Sequence, residues 1–209
     1  MRADRKDKRR TEIESVALDV MRQRGYEGAS MLNIAKAAKA SNETLYRWYG
    51  DKQRLFLEIV RSNASETEAA LDKALAVSMP PEDILVQIGR LLLRLLLGER
   101  SVALNRAAAS DASGQLGAAI SRGGRERVFP KIIKLMGVLQ EAGLIDPPSD
   151  ELAANWFLYL LIGDLQTRRV IGTLPQPTRG QINDHVENTL LAFYRLCGTD
   201  QSGVNSARR

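Results

Sequence analysis

The sequence predicts an all-α protein: an N-terminal bundle of three short helices followed by a larger helical body, about nine helices in total. Three observations predict it. Apolar residues recur every three to four positions nearly throughout, and no stretch alternates convincingly with a period of two. Capping residues and glycines punctuate that pattern at helical intervals. Cys197 is the single cysteine among 209 residues, so no intrachain disulfide holds the fold, and a chain of this length can bury enough surface without one.

The elements follow in order. Ile13, Val16, Ala17, Val20 and Met21 line one face of a first helix, which Gly25 stops. A short segment covers residues 30–38. Ser41 can cap the next helix and Gly50 ends it. Asp51 can cap a long helix running through Leu55 and Ile59 to about Ala76, where Met79-Pro80-Pro81 interrupts the chain. Residues 84–97 are apolar on nearly every side, as a helix in the middle of a core should be. Residues 102–109 are alanine-rich, and residues 110–124, with four glycines, read as a loop with a helical turn. Residues 128–142 are amphipathic and end at Gly143. Residues 150–171 read as one helix, opened by Pro147-Pro148-Ser149 and broken by Pro175 and Pro177. A last helix covers residues 178–197, and the polar residues 199–209 read as a disordered tail.

Charge is unevenly placed. Residues 1–52 hold 12 of the 30 Lys and Arg against 8 of the 25 Asp and Glu, and six of those cations lie in the first ten residues. A basic first quarter on a near-neutral body suggests a polyanion partner for that quarter; a solvated, disordered arm over residues 1–6 accounts for the same charges. Other classes recede. No apolar stretch follows the charged N-terminus, and the longest apolar runs fall far short of the roughly 20 residues a membrane span needs. A cytoplasmic location without membrane contact is expected. His185 is the sole histidine, so neither a His-based metal cluster nor a thiolate zinc site is available. With no glycine-rich phosphate loop and no nucleophile elbow, no enzyme activity, cofactor or metal is expected.

Three short helices, with a turn of about four residues between the second and third, make a helix-turn-helix. With Ser41 as N-cap, Asn42, Glu43 and Thr44 form the first turn of the third helix, their amides directed at an incoming phosphate. At about 100° per residue Leu45, Trp48 and Tyr49 share the core side. Glu43 and Arg47 then project from the middle of the opposite face, flanked by Asn42, Thr44 and Tyr46. Arg47 can bond guanine O6 and N7, and Glu43 can accept from a cytosine amine or simply satisfy the helix dipole. Trp48 can pack or touch DNA. Lys52, opening the following helix, suits a phosphate.

The run Ile13-Glu14-Ser15-Val16-Ala17-Leu18 to Gly25-Tyr26, then Ser30-Met31, Ile34-Ala35, Ala37-Ala38, Ser41 and Thr44-Leu45-Tyr46, closing on Lys52 and Leu55, closely resembles the DNA-binding domain of the TetR family. The resemblance covers about residues 7–67, with the helix-turn-helix at 30–49. It implies DNA contacts from Ser30, Asn42, Thr44, Tyr46 and Lys52, with Arg47 a variable specificity position; Ser41 and Glu43 complete the candidate set. Two positions depart from the pattern. Lys39 stands where the family usually has the turn glycine, and Ala29 replaces a common Thr.

For residues 68–198 the resemblance implies a helical effector-binding and dimerisation domain whose last two long helices pair across a two-fold axis. Leu152, Trp156, Tyr159 or Leu160, and Gly163 share a face on the first of them, and Ile182, Val186, Leu190 and Phe193 on the second. Gly163 would let helices approach closely. The same stripes would serve equally as intrachain core; the candidate dimer residues are Tyr159, Gly163, Ile182, Val186, Leu190 and Phe193. Leu92, Leu96, Phe129, Trp156 and Phe157 can line an apolar pocket, with Asn105, Arg106 or Gln166 supplying its few polar contacts. The expectation is a homodimer that binds an inverted-repeat operator in duplex DNA and is released by a small, mostly apolar effector.

Overall fold

In the computed structural model, which describes residues 2–76 and 80–199, every regular element is a helix. Eleven α-helices are present among the described residues: α1 (Arg2–Gly28), α2 (Met31–Ala37), α3 (Asn42–Tyr49), α4 (Lys52–Ala76), α5 (Pro81–Leu97), α6 (Glu99–Ala109), α7 (Gln115–Ile120), α8 (Glu126–Glu141), α9 (Asp150–Ile162), α10 (Leu165–Ile171) and α11 (Arg179–Cys197). A π-helical turn, Ser121–Arg125, leads into α8. An isolated antiparallel bridge joins Ile145 to Gly198.

The helices form two compact units: Met1–Ser65 with Glu99–Arg125, and Glu66–Gly98 with Glu126–Arg209. The expected boundary after residue 67 falls beside the division between Ser65 and Glu66, and α6 and α7 pack with the N-terminal helices, because Leu104, Leu116 and Ala119 are buried in one cluster with Ile13, Leu45 and Phe56. Burial of apolar side chains, rather than order along the chain, decides the grouping.

Four differences from expectation have local causes. The helix α1 begins at Arg2, so residues 2–6 are helical rather than a disordered arm; arginine and lysine are good helix formers and extend a helix already nucleated downstream. Gly25 still interrupts α1, at φ 71° and ψ 166°. Residues 110–125 are largely helical. Asp111 starts that stretch: its Oδ2 accepts from the Leu116 amide at 2.8 Å and its Oδ1 from the Ser113 amide at 3.0 Å, and these bonds hold its carboxyl below the usual carboxylate range. Residues 150–171 break at Gly163, whose φ of 47° and ψ of −127° only glycine adopts readily. Of the polar tail expected over residues 199–209, residues 200–209 lie outside the described residues, and Thr199 is pinned, its amide donating to the Leu144 carbonyl at 3.1 Å. Met79 also lies outside them.

In the second unit α9 and α11 pack side by side, with α5 and α8 also against α9. Phe157 and Phe193 meet edge to face with ring centroids 5.8 Å apart. Gly89 permits the close approach of α5 to α11, since a Cβ there would stand 3.1 Å from Val186 Cγ1. Two polar side chains close helix ends. Buried Arg169 donates from Nε to the Leu97 carbonyl at 2.9 Å, and His185 Nε2 lies 2.9 Å from the Leu161 carbonyl in the last turn of α9. No described helix is long and apolar enough to cross a membrane.

Candidate nucleic-acid interface

The reading helix α3 is held from inside and bare outside. Leu45 and Tyr49 are buried, while Tyr46 is 51% exposed. Burial pushes the Tyr49 phenol up to about 12, so it stays protonated at neutral pH. Both N-caps in the motif are serines. Ser30 Oγ accepts from the Asn33 amide at 3.2 Å, and Ser41 Oγ accepts from the Thr44 amide at 3.0 Å. Each hydroxyl thereby spends a lone pair on its own helix. Ser30 retains its proton to donate outward, whereas Ser41 also shares a 2.8 Å bond with the Thr44 hydroxyl.

The outward face matches the sequence-based geometry. Glu43 and Arg47 are exposed and lie 4.0 Å apart as an i,i+4 pair, with Asn42 and Tyr46 exposed and Thr44 half-buried beside them. An exposed pair of that kind contributes little to stability, so both groups can exchange partners at small cost. Trp48 is half-buried against the core, as the packing reading required. Lys52 is more constrained than expected. Its Nζ donates to the Tyr26 carbonyl at 2.9 Å and sits 4.1 Å from the Tyr26 ring centroid, so it ties the end of α1 to the start of α4. Two of its three ammonium protons remain for a phosphate.

Sequence reading missed Arg9. Its guanidinium donates to the Ala38 carbonyl at 2.6 Å and the Lys39 carbonyl at 3.0 Å, and pairs with Glu12 at 3.0 Å. These carbonyls form the turn between α2 and α3. Lys39 there has φ 50°, while the Ala40 amide bonds the Ala35 carbonyl at 2.9 Å and the Lys39 amide bonds the Lys36 carbonyl at 3.2 Å. That is a Schellman ending with lysine in the left-handed position glycine favours. The signal was present as the six early cations, but nothing in their spacing singles out one as a turn anchor.

Glu14 was also missed. It is buried, with its carboxylate 3.8 Å from Arg100 of α6, and burial raises its pKa despite a hydrogen bond from Ser62 and the Arg100 and Arg10 charges. Arg10 lies 5.6 Å from the Tyr49 ring centroid. Helices α1, α3 and α6 therefore meet through polar as well as apolar groups.

The candidate effector residues do not assemble as one set. Asn105 and Arg106 belong to the first unit, where Asn105 donates to the Ser101 carbonyl of its own helix at 2.8 Å. Arg106 lines an open cleft of about 500 Å³ between α1 and α6. In the second unit Leu92 is core, whereas Leu96, Phe129, Trp156 and Gln166 are half-buried. Of the two roles open to the α11 stripe, the single chain shows the intrachain one: Ile182, Val186, Leu190 and Phe193 are buried within their own chain, Val186 against Gly89 and Phe193 against Phe157. Gly163 ends α9 at a positive φ, and within its own chain nothing lies within 4 Å of the Cβ it lacks. Tyr159 is 68% exposed, and the remaining outward apolar residues on these helices are Leu160, Leu191 and Leu196.

Two family models match, in tandem. Residues 13–59 match that of bacterial regulatory proteins of the tetR family, and residues 83–198 match the C-terminal domain of AefR-like transcriptional repressors. The chain belongs to the TetR family of transcription regulators. Solved structures agree with the TetR fold across nearly the whole chain. A Mesorhizobium loti MAFF303099 protein named as a TetR-family transcriptional regulator shares 27% identity at a TM-score of 0.76, covering 92% of this chain and 98% of that one. A TetR transcriptional regulator of Agrobacterium tumefaciens shares 24% at 0.73, covering 94% and 97%. The flavonoid-responsive regulator FrrA shares 23% at 0.68, covering 93% and 99%. No curated protein sequence matches.

Proposed function

We propose that this TetR-family regulator is a dimeric, sequence-specific repressor that leaves its operator when a small, mostly apolar ligand binds. The observation that carries the DNA reading is the outward face of α3, where Asn42, Glu43, Tyr46 and Arg47 are exposed and none is needed for the core. The DNA-contacting set is Ser30, Ser41, Asn42, Glu43, Thr44, Tyr46, Arg47 and Lys52. Central side chains read base edges, and the flanking hydroxyls and Lys52 hold phosphates.

Dimerisation uses the outward faces of α9 and α11, with Tyr159 and Leu160 on one and Leu191 and Leu196 on the other; exposed apolar side chains on adjacent helices support this. The ligand site draws on apolar Leu96, Phe129 and Trp156 with the polar Gln166, all incompletely buried. A flavonoid is the first compound class to test, because a structural neighbour is named as flavonoid-responsive.

Binding of the chain to the DNA adjacent to its own gene, compared with random duplex, tests the reading. A preference on the order of 10³ or more and a protected site with inverted symmetry are expected. Equal affinity for both duplexes would sink it.

A further inference from the structure

The first turns of α1 sort their charges by face. At about 100° per residue, Arg5, Lys8, Arg9 and Glu12 fall on one side with Lys6 at its edge, and Asp7 lies opposite. That side and Trp48 of α3 bound an open groove of about 670 Å³. Within it, Arg9 is committed to the turn carbonyls and to Glu12, which neutralises the groove's one acid. Arg5, Lys6 and Lys8 are exposed and pair with nothing among the described residues.

Three unpaired cations within one turn repel one another, and a disordered arm would relieve that by spreading. Here the helix and the Arg9 anchor keep them together. Trp48 adds a donor. Its ring packs on the core, and its indole N–H has no acceptor among the described residues. On α3 it sits about 40° from Thr44 and about 100° from Arg47, on the flank beside the base-reading face.

We propose that this groove is a second phosphate-binding site, in which Arg5, Lys6, Lys8 and the Trp48 N–H hold duplex backbone phosphates next to the bases read by α3. The proposal rests on α3 being the DNA-reading helix. The groove contributes position and affinity and no base preference, because cations and N–H donors on phosphate oxygens carry no sequence information. Duplex DNA, rather than another polyphosphate surface, is the occupant because Trp48 joins the groove to the recognition helix itself.

The test measures binding of the full chain to an operator fragment and to random duplex between 50 and 200 mM salt. Each neutralised phosphate adds about 0.9 to the slope of log K against log salt. The double variant Lys6→Ala, Lys8→Ala should lower that slope by about two on both duplexes and leave the base-preference profile unchanged. Trp48→Phe keeps the ring in the core and removes the N–H, so it should weaken both duplexes several-fold at one salt concentration with the slope retained. An unchanged slope in a double variant that melts like wild type overturns the proposal. So does a changed base preference, which would put the lysines on base edges. Unchanged DNA binding together with lost binding to phosphatidylserine vesicles would overturn it and give the groove to a lipid surface. If the wild-type chain shows no operator preference, the function reading fails, while the slope difference on random duplex still decides the groove.

Discussion

Lys39 holds a left-handed backbone, φ 50°, that costs a residue with a Cβ about 1–2 kcal/mol. Glycine would relieve this and lose part of the gain to its freer unfolded chain. Lys39→Gly is therefore expected to stabilise by up to about 1 kcal/mol, a rise of about 2–4 °C in melting temperature for a chain of this size. The bonds from Arg9 go to backbone carbonyls and survive the change. A lower melting temperature would show that the lysine side chain contributes something the turn geometry does not reveal. At the interface, position and reading separate by residue. Arg47→Ala, assayed against a library of operator variants, should cost about 1–3 kcal/mol on the preferred site and relax preference at one base pair per half-site. Its partner across 4.0 Å, Glu43, is too exposed for the loss to affect folding. Lys52→Ala is a different experiment. Because Lys52 bonds the Tyr26 carbonyl and stacks on its ring, the variant should lower the melting temperature as well as the salt slope.

At the scale of elements, close contacts and buried charge decide what the pattern of apolar residues does not. Gly123, in the π-helical turn, lies so near α4 that a Cβ would stand 2.8 Å from Val60 Cγ1 and 3.1 Å from Leu57 Cδ1. Gly123→Ala should destabilise by about 1–3 kcal/mol, and adding Val60→Ala should recover part of that in a double-mutant cycle of denaturant midpoints. Purely additive costs would mean the backbone, not Val60, resists the methyl group. Glu14 gives a pH signature. Burial raises its pKa in the folded chain above the ordinary 4.5, so the folded state binds that proton more tightly. The resulting stabilisation is fully present below 4.5 and is lost as pH rises through the raised value. The melting temperature of wild type relative to Glu14→Gln should thus fall as pH rises above 4.5, and an opposite trend would mean that the Arg100 and Ser62 interactions outweigh burial. These same elements show where sequence was legible. The caps Ser41 and Asp51 and the stops Gly25, Gly50 and Gly143 could be read directly, because capping chemistry is local. Glycines were ambiguous: Gly123 and Gly89 serve close packing while Gly163 serves a turn, and the residue type alone does not say which. For the same reason the stripe on α11 reads equally as partner contact or as core, since a helix records that one face is apolar and not what covers it.

At the scale of the whole molecule, association and response can be separated. Leu191 is 44% exposed on α11, so Leu191→Glu adds a charge without disturbing the intrachain core. If α9 and α11 form the dimer face, sedimentation should show the variant as monomer at concentrations where wild type is dimeric, and operator affinity should fall because one half-site no longer helps hold the other. Unaltered sedimentation would place the dimer contact elsewhere. Effector response rests on a different balance. The proposed ligand residues belong to the second unit and the DNA-reading helix α3 to the first. Such a ligand shifts the equilibrium between binding-competent and released states only by its differential affinity for the two. About 5.5 kcal/mol is required to go from 1:99 to 99:1. Reciprocity then fixes the converse: operator DNA must weaken the ligand by the same factor by which the ligand weakens the operator. Calorimetric titration of a compound that binds the chain, first free and then saturated with operator, measures both terms. Weaker binding in the presence of operator, matched by weaker operator binding in the presence of the compound, is expected. Equal affinities in the two titrations would remove that compound as an inducer, however tightly it binds.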